Sequence, residues 1–415
     1  MSTSRRPAVG FIFVTLVLDI LGLGLIIPIL PKLIEQMHGG NTVAAAHTVG
    51  LLGGLFAAMQ FVFSPILGSL SDRWGRRPIL LGSLLGAGFD YLLLAWAPTL
   101  PWFFLGRIVA GITSANISAA TAYIADVSPI EKRAANFGFI GAAFGIGFVL
   151  GPALGGWLGE HHLRLPFLVS AGLVFANCLY GYFVLPESLS PEHRRKFSWA
   201  KANPLGSLVF LGRSSFLLRL ALALFLMNMG QFILHSVWVL YTGHRFNWSP
   251  RDVGLSLTLV GVLSGLVQGW LSGRLIPQVG EGRAVLLGVA LWMVSFVGYG
   301  FAPSGAIICG MLVVGCLGGI CGPAMQSLLS HQVGPSEQGA LQGALSSLTS
   351  VAQMVAPFVG TWAFAWGISP HAGMQVPGLP FFLAAAVIGA GGLLAWLALH
   401  KTGALRRPVV GASPT

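Results

Sequence analysis

Apolar residues run down most of the chain in stretches of about 18 to 24, broken by short polar connections, long enough for helices across a hydrocarbon layer about 30 Å thick. Strict apolar–polar alternation in ten-residue segments, the mark of a membrane β-barrel, is absent. Twelve segments are expected to be helical: 8–30, 49–70, 78–97, 101–124, 136–158, 165–185, 216–241, 252–273, 284–302, 304–326, 340–362 and 379–400. The fold class is therefore an all-α membrane protein, and an even number of spans puts both termini on one side.

Composition agrees with this pattern. Mean hydropathy is +0.79, and 55% of residues are hydrophobic against 8% charged; a soluble domain carries about a quarter charged residues. Soluble enzyme classes are excluded on this ground, and the chain is not expected to be an enzyme. The four cysteines, Cys178, Cys309, Cys316 and Cys321, all fall within apolar runs and read as small packing residues. The first apolar run continues into Pro28 and Pro31 without a small-residue cleavage site, so it is expected to remain as the first helix.

The net charge of +11 would suggest nucleic acid in a soluble protein, but its distribution points to a membrane. With the N-terminus inside, the inner segments carry 18 Lys and Arg residues and the outer loops four, Lys32, Arg164, Arg245 and Arg251, while Arg107 lies within a helix. The excess of positive charge predicts cytoplasmic termini. The longest polar connection, 186–215, divides the helices six and six. The expected organisation is an N-terminal six-helix half (1–185), a cytoplasmic linker (186–215), a C-terminal half (216–400) and a cytoplasmic tail (401–415).

The two halves repeat. Gly68, Leu70 and Gly75 recur as Gly273, Leu275 and Gly280, and Pro152 as Pro357, each 205 residues later; Pro129 and Glu131 recur as Pro335 and Glu337 after 206. A near-constant offset over landmarks this far apart implies duplication. Parallel six-helix repeats are an architecture of secondary transporters.

The motifs that carry the repeat resemble those of the major facilitator superfamily. GSLSDRWGRRP (Gly68 to Pro78) looks like its loop between helices two and three, LGRIVAGITSAN from Leu105 like its fourth-helix motif, and GIGFVLGPALGG (Gly145 to Gly156) like the fifth-helix motif of drug/proton antiporters. Within the superfamily, LDILGLGLIIPILP, FDYLLLA, VWVLY and GALQGALSSLT are similar to the tetracycline/proton antiporters. That family places a histidine in helix eight and an aspartate in helix nine, where this chain has Ser264 and Trp292. The resemblance implies the two-half fold, the antiporter class and a bacterial inner-membrane location. It leaves open whether the drug travels as a metal chelate.

Candidate chemistry is sparse enough to place residue by residue. Of the acids, only Asp19 and Asp90 fall deep in apolar runs. A charge there costs roughly 2.5–3.5 kcal/mol even on the lenient insertion scale. Each reads either as a proton-coupling acid or as one satisfied by neighbouring groups. Glu187 and the other loop acids read as solvated or capping charges. Arg107 either reaches outward to the interface or balances an acid; the resemblance implies a functional role. Gln60 and Asn116 could supply neutral hydrogen bonds, as could Asn228 and Gln231, which share a helix face with His235. His235 reads as a packing residue or as a partial replacement for the missing helix-eight histidine. Gly145, Gly147, Gly151, Pro152, Gly155 and Gly156 give the fifth helix a bare face for close packing, with Pro152 permitting a bend.

The charged stretch Gly68–Pro78, with Asp72, Arg73, Gly75, Arg76 and Arg77, reads as a conformational latch. Its counterpart from Gly273 has Pro277 in place of Asp72 and Glu281 in place of Arg76. By resemblance, Arg76 pairs with Asp126, and Asp72 meets the start of helix eleven near Gly339 in one transport state. The expected function is proton-coupled efflux of an amphipathic small molecule, a tetracycline-like drug among the candidates, by alternating access. The alternatives are a metabolite facilitator or symporter on the same fold and, from another class, a non-transporting receptor or scaffold. No resident cofactor or metal and no nucleic-acid partner is expected; the drive is the proton gradient, the partners are substrate, protons and lipid, and the protein is expected to be a monomer.

Overall fold

The computed structural model describes residues 9–114, 116–194, 206–334, 337–370 and 375–402. The linker residues Arg195, Lys196 and Lys201, together with Pro335 and both tails, lie outside that set, as do the side chains of Asn116, Glu131 and Arg133. Among the described residues there are twelve helices long and apolar enough to cross a membrane and no strand. They are α1 (Val9–Met37), α2 (Thr42–Trp74), α3 (Arg76–Trp96), α4 (Leu100–Val127), α5 (Ile130–His161), α6 (Leu165–Val184), α7 (Ser215–Phe246), α8 (Pro250–Val279), α9 (Glu281–Phe301), α10 (Gly305–Ser330), α11 (Gln338–Ile368) and α12 (Leu379–Thr402). Several extend well past the apolar run that foretold them. The hydrophobic run measures the thickness of the bilayer, whereas the helix continues into polar residues at either end.

One consequence is a correction. Gly68–Pro78 is not a loop of several residues: Gly68 to Trp74 close α2, Arg76 opens α3, and Gly75 alone lies between them. Gly75 makes the turn with φ 110°, and Gly280, its repeat partner, does the same between α8 and α9 with φ 84°. Positive φ is tolerated routinely only by glycine.

The duplication extends to the defects of the helices. The α-helical run of α4 ends at Thr113, with Ser114 as its cap, and that of α10 ends at Gly318, with Gly319 as its cap; Ser114 and Gly319 are 205 residues apart. α2 contains Pro65, and the matching stretch of α8, Val267–Leu271, is a π turn. Such breaks free backbone groups inside a membrane helix and recur where transporters hold substrates or bend.

The chain forms two compact units, one of Met1–Asn41, Leu55–Pro204 and Trp248–Gly261, the other of Thr42–Gly54, Leu205–Asn247 and Val262–Thr415. Each takes one segment from the opposite half of the sequence. In the first unit α1 packs between α5 and α6, and α3 packs on α4 and α6. Its core includes Ile12, Leu16, Ile20, Leu80, Tyr123 and Ile124, all 2% exposed or less. The opening of α8 lies on α5 in this unit. In the second unit α7 packs on α11 and α12, and α9 on α10 and α12. There Tyr241 stacks edge-on against Phe381, ring centres 4.6 Å apart, and donates its hydroxyl to the Tyr299 carbonyl at 2.6 Å. The opening of α2 lies on α11: a Cβ on Gly53 would come within 3.2 Å of Pro357. The short 3₁₀ helix Gly206–Arg213 packs on α11 and α7.

Candidate functional site

In the first unit two of the three charges that the sequence leaves inside the membrane meet. Arg107 Nη2 on α4 donates to Asp90 Oδ2 on α3 at 3.0 Å, with side-chain exposures of 12% and 1%. Arg107 therefore points at the acid and does not reach outward to the interface. Its guanidinium also lies over Phe56 of α2, 5.8 Å from the ring centre, a cation–π contact that favours the charged arginine. Gly106 makes the room: a Cβ at that position would stand 2.6 Å from Asp90 Oδ1 and 2.8 Å from Leu94. At Gly111, one turn further along α4, a Cβ would meet the Phe56 carbonyl at 2.8 Å, so α4 crosses α2 backbone to backbone. The fourth-helix motif thus sets both the arginine and its surroundings.

The pairing is incomplete. Asp90 Oδ1 and Arg107 Nε are buried with no hydrogen-bond partner. A buried carboxylate with a free oxygen is positioned to take a proton or a donor from outside the protein. Tyr91, next to Asp90, lies within the electrostatic reach of Asp19, Asp90 and Arg107. Its ring faces Gly22, where an added Cβ would come within 3.8 Å. Asp19 is half-buried on α1, and α1 is fixed around it by Asn177 and Ser170 of α6, which donate to the Thr15 carbonyl and the Gly22 carbonyl, each at 2.9 Å. Gln60 is half-buried on α2, one turn beyond Phe56. Asn116 begins the second part of α4, and its side chain lies outside the described residues.

The second unit presents neutral polar groups. Asn228 Nδ2 on α7 donates to Thr349 Oγ1 on α11 at 3.1 Å. Gln231, three residues on, has a buried Nε2 without a partner. His235 is exposed, its ring edge-on to Phe232 with centres 6.2 Å apart. On α9, the indole of Trp292 leans on Gly318 of α10, where an added Cβ would come within 2.8 Å of Nε1. Ser264 is within 3.9 Å of the Cys316 sulfur. Bulk and neutral polarity fill the two positions at which the resembled family has an acid and an imidazole.

The glycines of α5 serve two neighbours, where the sequence suggested one bare face. Gly151 and Gly155 press against α1: a Cβ on Gly151 would stand 2.7 Å from the Gly24 Cα, and one on Gly155 would strike the Leu25 backbone. Gly156 faces the opening of α8, 3.0 Å from the Arg251 Cα by the same measure, and the Pro152 carbonyl lies against Gly254.

At the Gly68–Pro78 stretch, the clasp between α2 and α3, Arg76 bonds Asp126 Oδ2 at 3.1 Å, Asp72 Oδ1 at 2.5 Å and Ser71 Oγ at 3.3 Å. Arg77 donates to the Tyr182 carbonyl and lies over the Tyr182 ring, 5.6 Å from its centre. Arg73 is exposed, and Gly68 has open space where a side chain would go. Sequence reading missed the residue that organises this cluster. Glu187, just past α6, accepts from the backbone N–H of Arg76 at 2.8 Å and of Arg77 at 3.2 Å. It also accepts from Ser188 at 3.1 Å and Leu189 at 3.1 Å. The first N–H groups of a helix have no partner within it, and a carboxylate there also meets the positive end of the helix dipole. Gly75 is compelled twice, by its φ and because a Cβ would strike the Glu187 carboxylate.

Comparison with known proteins places this arrangement. The Major Facilitator Superfamily model matches residues 12–357. The chain is 39% identical over 360 residues to the class C tetracycline resistance protein of Escherichia coli, covering 87% of this chain and 90% of that one. It is 34% identical over 373 residues to the class H tetracycline resistance protein of Pasteurella multocida, covering 88% and 90%. Among solved structures it is similar to the human organic anion transporter MFSD10 (TETRAN), with TM-score 0.69 and 25% identity over 95% of this chain and 100% of that one.

Proposed function

The chain belongs to the Major Facilitator Superfamily, and from that premise we propose that it exports an amphipathic, tetracycline-like drug in exchange for protons, by alternating access across a bacterial inner membrane, with its termini in the cytoplasm. The names of its relatives support the drug class. The excess of Lys and Arg in alternate connections supports the orientation. No resident cofactor is assigned; the proton gradient is the drive.

The observation that carries the mechanism is the half-satisfied Asp90–Arg107 pair. While Asp90 is ionised, Arg107 holds it. A proton placed on Oδ1 neutralises the acid and leaves the arginine unbalanced in a medium where an unpaired charge costs several kcal/mol. Arg107 is then available to a polar or anionic group of the substrate, and departure of the substrate restores the pair. Asp19 and Tyr91 lie in the same electrostatic neighbourhood and extend the path of the proton. Asn228 and Gln231 give the second unit neutral hydrogen bonds for a drug with ring hydroxyls and carbonyls. His235 is the imidazole available to that face.

The test uses proteoliposomes of the full chain under an imposed pH gradient, with tetracycline and other amphiphiles as probes. Gradient-driven flux of at least one probe, abolished by Asp90→Asn, is the expected result. Absence of gradient-dependent flux for every amphiphile tried overturns the reading.

A further inference from the structure

The repeat that gives the first unit Arg76 and Asp126 gives the second unit Glu281 and His331, each 205 residues later, as Gly280 corresponds to Gly75. The geometry is also repeated. Glu281 opens α9 directly after the positive-φ Gly280, as Arg76 opens α3 after Gly75. His331 follows the last turn of α10, as Asp126 lies in the last turn of α4. His331 Nδ1 is 3.5 Å from Glu281 Oε2. Ser327, one turn before His331, donates its hydroxyl to Glu281 Oε1. The polarity of the pair is reversed, and its cation is one that titrates.

We propose that Glu281 and His331 form a proton-operated latch that ties the α8–α9 turn to the end of α10 when the solution on that side is acidic. Histidine is the side chain whose charge ordinarily changes between pH 5 and 8. Protonated, His331 completes an ion pair with Glu281; neutral, it leaves Glu281 held by Ser327 alone. The first unit's Arg76–Asp126 pair cannot switch in this way, because arginine stays charged.

The surroundings suit such a switch. His331 is 69% exposed and Glu281 17%, so protons reach the histidine while the carboxylate stays placed. The other charged side chains on α9, on the Ser272–Val279 end of α8 and on the first turns of α7 are Arg283, Arg274 and Arg219, while Arg251 and Asp252 of α8 and His244 and Arg245 of α7 lie at the opposite ends of those helices and His235 lies mid-helix. Arg274 lies over the Trp270 ring, 4.4 Å from its centre. Beyond α10, Glu337 at the start of α11 is taken by Arg213 at 2.9 Å. Among the described ion pairs, Glu281 is the acid that His331 meets.

The experiment is hydrogen–deuterium exchange on the purified full chain, following the α8–α9 turn at about pH 5.5 and about pH 8 after correction for intrinsic rates. An exposed pair of this kind is expected to slow exchange about threefold at the acid pH. His331→Gln should remove that difference and His331→Arg should give slow exchange at both values. Glu281→Gln should match His331→Gln, which separates loss of the pair from local damage at either residue. The proposal is overturned if the parent shows no difference between the two pH values, or if the difference survives in His331→Gln. The measurement requires no substrate, so it stands or falls apart from the transport reading.

Discussion

Gly106 is a glycine because Asp90 occupies its side-chain space: a Cβ there would lie 2.6 Å from Asp90 Oδ1. Gly106→Ala must therefore move the carboxylate, and since the overlap also involves Leu94 the shift has little room. Transport should fall at least about tenfold, corresponding to about 1.4 kcal/mol of lost alignment, with protein still found in the membrane. Gly68→Ala is the control, because no atom lies within 4 Å of its added Cβ; it should transport like the parent. Drug flux per unit of membrane-inserted protein measures both.

Asp90→Asn keeps the shape of the pair and removes the proton site. Gradient-driven efflux should disappear while drug-for-drug exchange persists, a division that a merely misfolded protein would not show. Either single change breaks a buried ion pair, at about 3–5 kcal/mol, and Arg107→Ala is expected to be the worse for the fold because the charge it strands, Asp90, is 1% exposed against 12% for Arg107. Adding Asp90→Asn to Arg107→Ala should recover thermal stability without recovering efflux. A double variant as unstable as Arg107→Ala would count against the unpaired charge as the cause.

Gln231 should separate binding from stability. Its buried amide nitrogen has no partner, and an unsatisfied buried donor costs about 1–3 kcal/mol. Gln231→Leu is expected to raise the melting temperature of the drug-free protein and to raise the KM for transport. If the amide were only a packing residue, KM would not move. Asn228→Ala should weaken transport through its lost bond to Thr349 and should lower the melting temperature.

Glu187 lies outside the membrane motifs, yet it holds the clasp. Glu187→Ala would leave the N–H groups of Arg76 and Arg77 without their acceptor, a cost of about 0.5–2 kcal/mol by analogy with lost helix caps. Glu187→Gln, which retains one acceptor oxygen, should lose less. Thermal unfolding of the purified variants gives the order, and equal losses for Ala and Gln would assign the effect to charge alone.

Asp90 was legible in the sequence because a charge in hydrocarbon is costly enough to mark itself, and Arg107 for the same reason. Arg76 and Asp126 were legible through the motif. The role of Glu187 was not, since its partners are backbone N–H groups more than a hundred residues away, which leave no pattern of side chains. Nor could the sequence place Gly106 against Asp90, because a glycine in a membrane helix looks the same whether it faces lipid, a neighbour or an acid. Helix number followed from hydropathy, and helix ends did not: the polar turns at Met37, Trp74 and Phe246 continue past the apolar run. Of the matched interruptions, the one at Ser114 has no proline beside it and only the backbone reveals it, whereas Pro323, four residues past Gly319, lacks the N–H that would bond the Gly319 carbonyl.

The seam of α5 with the opening of α8 is made of Pro152 and Gly156 on one side and Pro250 and Gly254 on the other. At these four residues backbone meets backbone, while further along the same contact Thr258 Oγ1 donates to the Val149 carbonyl at 2.9 Å. Glycine and proline lose no side-chain rotamer freedom when buried, so separating and rejoining these surfaces requires no search through side-chain conformations. Backbones this close admit few alternatives, so contact here fixes one register. What the glycines contribute at this seam is a register that a single added methyl would break.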